Sequence, residues 1–135
     1  VYGDTINGTF TEDSTLNPSN PYAATKASAD LLTQSWARTH GLEYIIARPS
    51  NNYGYYQYPE KLIPLTVQNL LRGKKIKLHN EGKPVRTWTH SEDTASAILT
   101  LYEKAERNRI YNISSEYEQS NYDTVRKIIN AFYFR

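Results

Sequence analysis

A tyrosine and a lysine four residues apart, in Tyr22-Ala23-Ala24-Thr25-Lys26, are the pair whose types and spacing best suit chemistry. On a helix that separation puts both side chains on one face, one turn apart. An ammonium beside a phenol favours the phenolate, so Tyr22 is a candidate general base toward a substrate hydroxyl. The same pair is common on solvated helix faces, so its meaning depends on its surroundings.

The elements that must position this pair are legible. Asn20 and Pro21 supply an N-cap and a first-turn proline, and the Ala- and Leu-rich stretch from Tyr22 to His40 stops at Gly41, predicting a helix. Tyr44 to Ala47 is a short apolar run closed by Arg48-Pro49, as expected of a buried strand after a crossover helix. Before the helix, Thr5 to Asn20 is polar and aperiodic and reads as a loop. Beyond the strand comes a Tyr- and Asn-rich loop, then helical spacing from Leu62 to Arg72 with Pro64 in its first turn and Gly73 as the stop. Lys75 to Leu78 and Pro84 to Thr89 are extended candidates around a turn at Asn80-Glu81-Gly82. Ser91 is expected to cap a helix whose ends, Glu92 and Asp93 against Lys104 and Arg107, complement the helix dipole. Ile110 to Ile113 reads as a strand, and Ser120 or Asn121 opens a last helix with Val125, Ile128, Ile129 and Phe132 on its apolar face. Helix followed by buried strand suggests βαβ architecture.

Composition narrows the partners. With 16 basic and 14 acidic residues the net charge is +2, too balanced to suggest nucleic acid or a membrane surface. A small ligand is the expectation. There is no cysteine, which removes disulfides and thiolate metal sites and leans toward a cytoplasmic compartment. His40, His79 and His90 lack metal-ligand spacing. Apolar runs are too short to span a bilayer, and no signal-peptide pattern opens the chain. Methionine is absent, the chain starts as though leaving a strand, and an apolar pattern still runs close to Arg135, so both ends are expected to be internal to a longer protein.

Four segments taken together carry a resemblance. They are Asn20-Pro21-Tyr22 through Lys26-Ala27-Ser28, the Ser50-Asn51-Asn52-Tyr53-Gly54 loop, Tyr58-Pro59-Glu60-Lys61-Leu62-Ile63-Pro64, and Val85-Arg86-Thr87-Trp88 with Glu92-Asp93. In this order, and with Tyr111-Asn112-Ile113 following, the sequence closely resembles the dTDP-glucose 4,6-dehydratases within the extended short-chain dehydrogenase/reductases. The resemblance implies an α/β fold. Residues 1–55 would be the C-terminal part of a Rossmann-type NAD-binding fold, merging into a small substrate-binding domain over residues 56–135.

The resemblance also implies roles. Tyr22 would deprotonate the sugar C4 hydroxyl, Lys26 would hold the nicotinamide ribose of NAD, and Asn52 would lie near the cofactor. Asn51, Lys61, Leu62, Arg86 and Asn112 match positions that contact the nucleotide sugar, and Lys77 and His79 fall in the stretch that lies against the nucleotide. Lysine and arginine would neutralise a diphosphate, Arg86 through forked hydrogen bonds. The implied substrate is a nucleoside-diphosphate hexose, dTDP-glucose, and the implied assembly a homodimer with neither nucleic acid nor membrane as partner.

The 135 residues contain no Gly-x-x-Gly-x-x-Gly phosphate loop and no Asp-Glu pair before Val1-Tyr2-Gly3, so these residues alone are expected to be inactive. Tyr55, Thr87 and Ser114-Ser115 depart from the family's usual proline, aspartate and glycine pair, and Lys77 to Asn80 departs from its Pro-Ile-Tyr-Gly-like stretch. Alternatives are a nucleotide-sugar epimerase or glucuronate decarboxylase with the same Tyr-Lys pair, and a non-catalytic sugar-nucleotide-binding domain. The Pro59 to Pro64 stretch argues against an epimerase.

Overall fold

The structure, a computed structural model, describes residues 1–3 and 8–134. Of the expected loop, Thr5, Ile6 and Asn7 lie outside the described residues. The chain forms two compact units, each discontinuous: Val1–Arg48 with Ala97–Ile113, and Pro49–Ser96 with Ser114–Arg135. The sequence division after residue 55 does not follow this grouping, because a later stretch of helix and strand returns to the first unit.

In the first unit, helix α1 spans Pro21–His40. Its start is set locally: the Asn20 side chain accepts from the Ala23 N–H at 2.9 Å, satisfying a donor that the helix itself cannot. Its end is equally local, with Gly41 in the left-handed region at φ 66° and Leu42 N–H returned to the Ala37 carbonyl at 3.0 Å. Strand β1, Ile45–Pro49, pairs with a strand from much later in the chain, Arg109–Ile113, in a two-stranded sheet. Asn108, itself left-handed at φ 61°, closes that sheet's end by donating its N–H to the Tyr44 carbonyl at 2.7 Å. Ala27, Ala37, Ile46 and Ile113 are its buried apolar residues.

The second unit is organised on three short strands. Strand β2, Asn51–Tyr53, runs parallel to β3, Val85–His90, with Asn51, Asn52 and Tyr53 opposite Trp88, Thr89 and His90. The later strand Glu118–Ser120 pairs antiparallel with β3. Helix α2 is Leu62–Leu71, and α3, Ser91–Lys104, leaves β3 directly and runs on into the first unit. Strands β4 (Arg109–Ile113) and β5 (Glu118–Ser120) precede the last helix, α4, Asn121–Tyr133, which packs on α2. Ser120 caps α4 by accepting from Asp123 N–H at 3.0 Å.

Several expectations are corrected. Lys75 to Leu78 forms no strand; this stretch, with Lys75 and Lys77 exposed, leads instead into a 3₁₀ turn at His79–Gly82. That turn holds Asn80, Glu81 and Gly82 at positive φ, and Gly82 is required there, since a Cβ would lie 2.8 Å from the backbone nitrogen of Tyr122. Asn51–Tyr53, read as loop, is a strand because β3 supplies its backbone partners. Glu118–Ser120 becomes a strand for the same reason. Ser91 is the first residue of α3 rather than its cap, and the His90 ring takes the Glu92 N–H at 3.4 Å. On α4, Val125 is buried while Phe132 is 40% exposed, so the inward face is shorter than its sequence pattern. Among the described residues no helix is long and apolar enough to cross a membrane.

Candidate functional site

Tyr22 and Lys26 meet as their spacing requires. The Lys26 ammonium sits 5.6 Å from the centre of the Tyr22 ring, on an exposed face of α1 where Tyr22 is 72% accessible. Nothing within the helix occupies the phenol, so it is presented to whatever approaches that face. Asp30 continues the same stripe one turn further on, at the i+8 position from Tyr22.

Asp30 is where this stripe enters the interior of its unit. Its carboxylate accepts from Arg48 Nε at 2.8 Å, and the two side chains are only 16% and 8% exposed. Arg48 Nη1 also donates to the Tyr2 hydroxyl at 2.7 Å, and its guanidinium lies 4.9 Å from the Tyr2 ring centre. Tyr2 in turn donates to Asn112 Oδ1 at 2.7 Å and stacks on Phe10. The Asn112 backbone N–H donates to Glu12 Oε1 at 2.8 Å. That bond, the backbone N–H of Glu12 itself and the Arg48 charge hold the Glu12 carboxyl below its usual range, against a smaller opposing push from burial. For Arg48, burial works to lower the affinity for its proton, but the bonds to Tyr2 and Asp30 outweigh it and raise its pKa.

Asn112 is therefore half-buried, with its amide engaged by Tyr2 and, at 3.5 Å, by the Phe10 carbonyl. No local pattern marks Asp30, Arg48, Tyr2 and Glu12 as a group, because their partners lie 18 to 110 positions apart.

The other candidates lie in the second unit. Asn52 is exposed on β2, and its Oδ1 accepts from Thr94 Oγ1 at 2.6 Å. With its carbonyl engaged, the amide's NH2 donors are what Asn52 has left to offer a ligand. Its backbone carbonyl accepts from Gln57 Nε2 at 2.9 Å, tying the following loop down. Asn51, beside it, is exposed. Under both, Ser50 and Thr89 share a 2.7 Å hydroxyl bond, and Thr89 accepts from Ser115 N–H at 3.1 Å. Gly54, at the end of this strand, passes so close to Ser91 that a Cβ there would lie 3.2 Å from the Ser91 Cβ.

Lys61 occupies the N-cap of α2 with no side-chain cap bond, and the helix has no acidic residue in its first turn. Its first turn accordingly presents the N–H groups of Leu62 and Ile63, with Pro64 offering none, beside an ammonium that the exposed Glu60 meets at 3.2 Å. Backbone donors, a positive helix end and a lysine are the ingredients of an anion site. Arg86 is exposed on β3, with Nη1 donating to the Val85 carbonyl at 3.0 Å. Lys77 and His79 are exposed, the first in the extended stretch and the second opening the 3₁₀ turn. Two clefts of about 330 and 520 Å³, one beside the end of α1 and one beside the end of α3, include none of these residues. Among the described residues no group of three or more His, Asp or Glu is gathered as a metal site.

Residues 1–114 match the model of the NAD dependent epimerase/dehydratase family. The chain is 44% identical over 131 residues to the low-salt glycan biosynthesis protein Agl12 of Haloferax volcanii, covering 97% of this chain and 42% of that protein. It is 43% identical over 128 residues to a dTDP-glucose 4,6-dehydratase of Escherichia coli, covering 95% of this chain and 35% of the relative. Among solved structures, the dTDP-glucose 4,6-dehydratase of Bacillus anthracis in complex with NAD superposes with a TM-score of 0.93 at 45% identity, over 98% of this chain and 43% of that one. The chain thus spans under half the length of each of these proteins, and it shares the α/β fold of the B. anthracis enzyme over that span. With the Tyr22–Lys26 pair on α1 and a family match over residues 1–114, the chain belongs to the NAD dependent epimerase/dehydratase family.

Proposed function

We propose that the protein, at its natural length, is an NAD-dependent nucleotide-sugar 4,6-dehydratase, a lyase converting dTDP-glucose to dTDP-4-keto-6-deoxyglucose. The observation that carries this reading is the Tyr22–Lys26 pair, one turn apart on an open helix face with the ammonium 5.6 Å from the ring. The E. coli and B. anthracis relatives named as dTDP-glucose 4,6-dehydratases support the choice of substrate and reaction.

The residues present fit a nicotinamide cofactor. Lys26 offers ammonium donors that ribose hydroxyl oxygens can accept, and Asn52 offers an amide NH2. When bound, NAD would supply the hydride chemistry, taking hydride from sugar C4 and, once water has been eliminated across C5 and C6, giving it back at C6. Tyr22 takes the proton of the C4 hydroxyl, and Lys26 favours the phenolate that does so. Lys61, Leu62 and the α2 N-terminus hold the diphosphate together with Arg86, while Asn51, Asn112, Lys77 and His79 complete the contacts to sugar and nucleotide. On this reading the stretch to residue 55, Asn51 apart, serves the cofactor and residues 56–135 serve the sugar nucleotide, in a cytoplasmic homodimer.

The test is incubation of the protein at its natural length with NAD and dTDP-glucose, with the product read by mass spectrometry and its keto absorbance. A 4-keto-6-deoxy product is expected. Wild-type protein that makes none refutes the reaction, and a Tyr22→Phe variant turning over at the parental rate refutes the base.

A further inference from the structure

Arg48 has a role that follows from where Asp30 stands on α1. Tyr22, Lys26 and Asp30 are spaced i, i+4 and i+8, a single stripe drifting by about 40° per step along the helix. A helix packed by small residues such as Ala27 and Ala37 has little side-chain shape to fix its rotation about its own axis. One enclosed, directional bond on the stripe can fix it. The Asp30–Arg48 pair is such a bond: 2.8 Å long, with both side chains largely enclosed.

Arg48 cannot follow a rolling helix, because it is itself held. Its Nη1 donates to Tyr2, whose hydroxyl donates to Asn112 on β4, whose backbone N–H is fixed to Glu12. The guanidinium is planar and forked, so one end addresses the carboxylate and the other the phenol at the same time. A lysine has the charge and lacks that geometry.

We propose that Arg48 and Asp30 are positioning residues that set the azimuth of the Tyr22–Lys26 face, so that the reaction depends on a pair two helical turns from the phenol. The claim rests on the proposed role of Tyr22 for its kinetic consequence, but its structural content does not.

The experiment therefore has two readouts, both on the protein at its natural length. The first is ¹⁹F NMR of protein carrying 3-fluorotyrosine, the Tyr22 resonance being assigned by its loss in Tyr22→Phe. Asp30→Asn and Arg48→Lys should each shift or broaden that resonance, and Asp30→Glu should largely restore it. Val125→Ala, which opens a cavity in the second unit, controls for lost stability and should leave it in place. The second readout is steady-state kinetics: Asp30→Asn and Arg48→Lys should lower kcat by up to about 100-fold, the scale of a small misplacement of a reacting group, with KM within about threefold. A Tyr22 resonance identical in wild type, Asp30→Asn and Arg48→Lys overturns the proposal whatever the activity. A resonance that moves in a protein without dehydratase turnover supports the positioning claim and refutes only the function. An equal kcat loss in Val125→Ala also overturns it, since the effect would then be general instability.

Discussion

The face of α1 that carries Tyr22 and the segment from Asn51 to Leu62 are held in place in opposite ways. Behind α1 the hold is ionic and enclosed: Asp30 on Arg48, Arg48 on Tyr2, Tyr2 on Asn112. Around Asn51 to Leu62 the hydroxyl contacts of Ser50 with Thr89 and Thr94 with Asn52 and the short parallel pairing of β2 with β3 are neutral, and the Lys61–Glu60 ion pair is exposed. The second region also leaves its chain open to solvent, with Tyr55, Tyr56 and Tyr58 exposed and Tyr56 at φ 62°, an uncommon conformation outside glycine. On the proposed function the contrast matches the demands on each: a general base has to be aimed, which an enclosed ion pair with fixed geometry would do, whereas a surface that receives a large, charged ligand needs donors and a positive helix end within reach.

The strongest way to break the contrast is kinetic. Tyr22→Phe should lower kcat by roughly 100- to 10,000-fold with little change in affinity for the sugar nucleotide, since it removes a proton acceptor. Arg86→Ala should do the reverse, raising KM by about 10- to 100-fold, the scale of a lost charge-assisted hydrogen bond. Steady-state parameters over a range of dTDP-glucose concentrations separate the two; matching effects from both variants would erase the distinction between the regions.

Stability sharpens the same comparison at smaller magnitude. Arg48→Ala leaves an enclosed carboxylate unpaired and should cost about 3 kcal/mol. Thr94→Val removes one neutral hydrogen bond to Asn52 and should cost about 1 kcal/mol. Urea unfolding at neutral pH measures both, and a larger loss from Thr94→Val than from Arg48→Ala would overturn the ranking.

The smallest expected effect concerns acid. Glu12 is held below its ordinary value of 4.5, chiefly by the Asn112 backbone N–H. A carboxyl depressed on folding contributes stability above its unfolded pKa and loses it as pH falls through the folded one. Wild type should therefore melt above Glu12→Gln at neutral pH. The gap should shrink as pH drops below 4.5 and close once Glu12 is protonated in both states. A gap unchanged by acid would place the Glu12 contribution elsewhere than in its charge.

The elements written into neighbouring residues were legible from the chain alone. Asn20, Pro21 and Gly41 delimit α1 through interactions spanning at most five positions, and the same locality made the Tyr22–Lys26 face certain once the helix formed. Helical spacing with Pro64 in the first turn likewise announced α2, Leu62–Leu71. Short polar strands carry no such signal. Asn51–Tyr53 and Glu118–Ser120 are strands only because β3 lies alongside both, and Lys75–Leu78, with comparable residues and no partner, is not. Tertiary structure also decided what Arg48 is for. In sequence it merely ends a strand before a proline, and only folding brings it to Asp30, 18 positions away, and to Tyr2, 46 away. Bonds within a few residues are fixed by the chain's own geometry, whereas bonds across such distances exist only after the loop-closure entropy between their ends has been overcome by the rest of the fold.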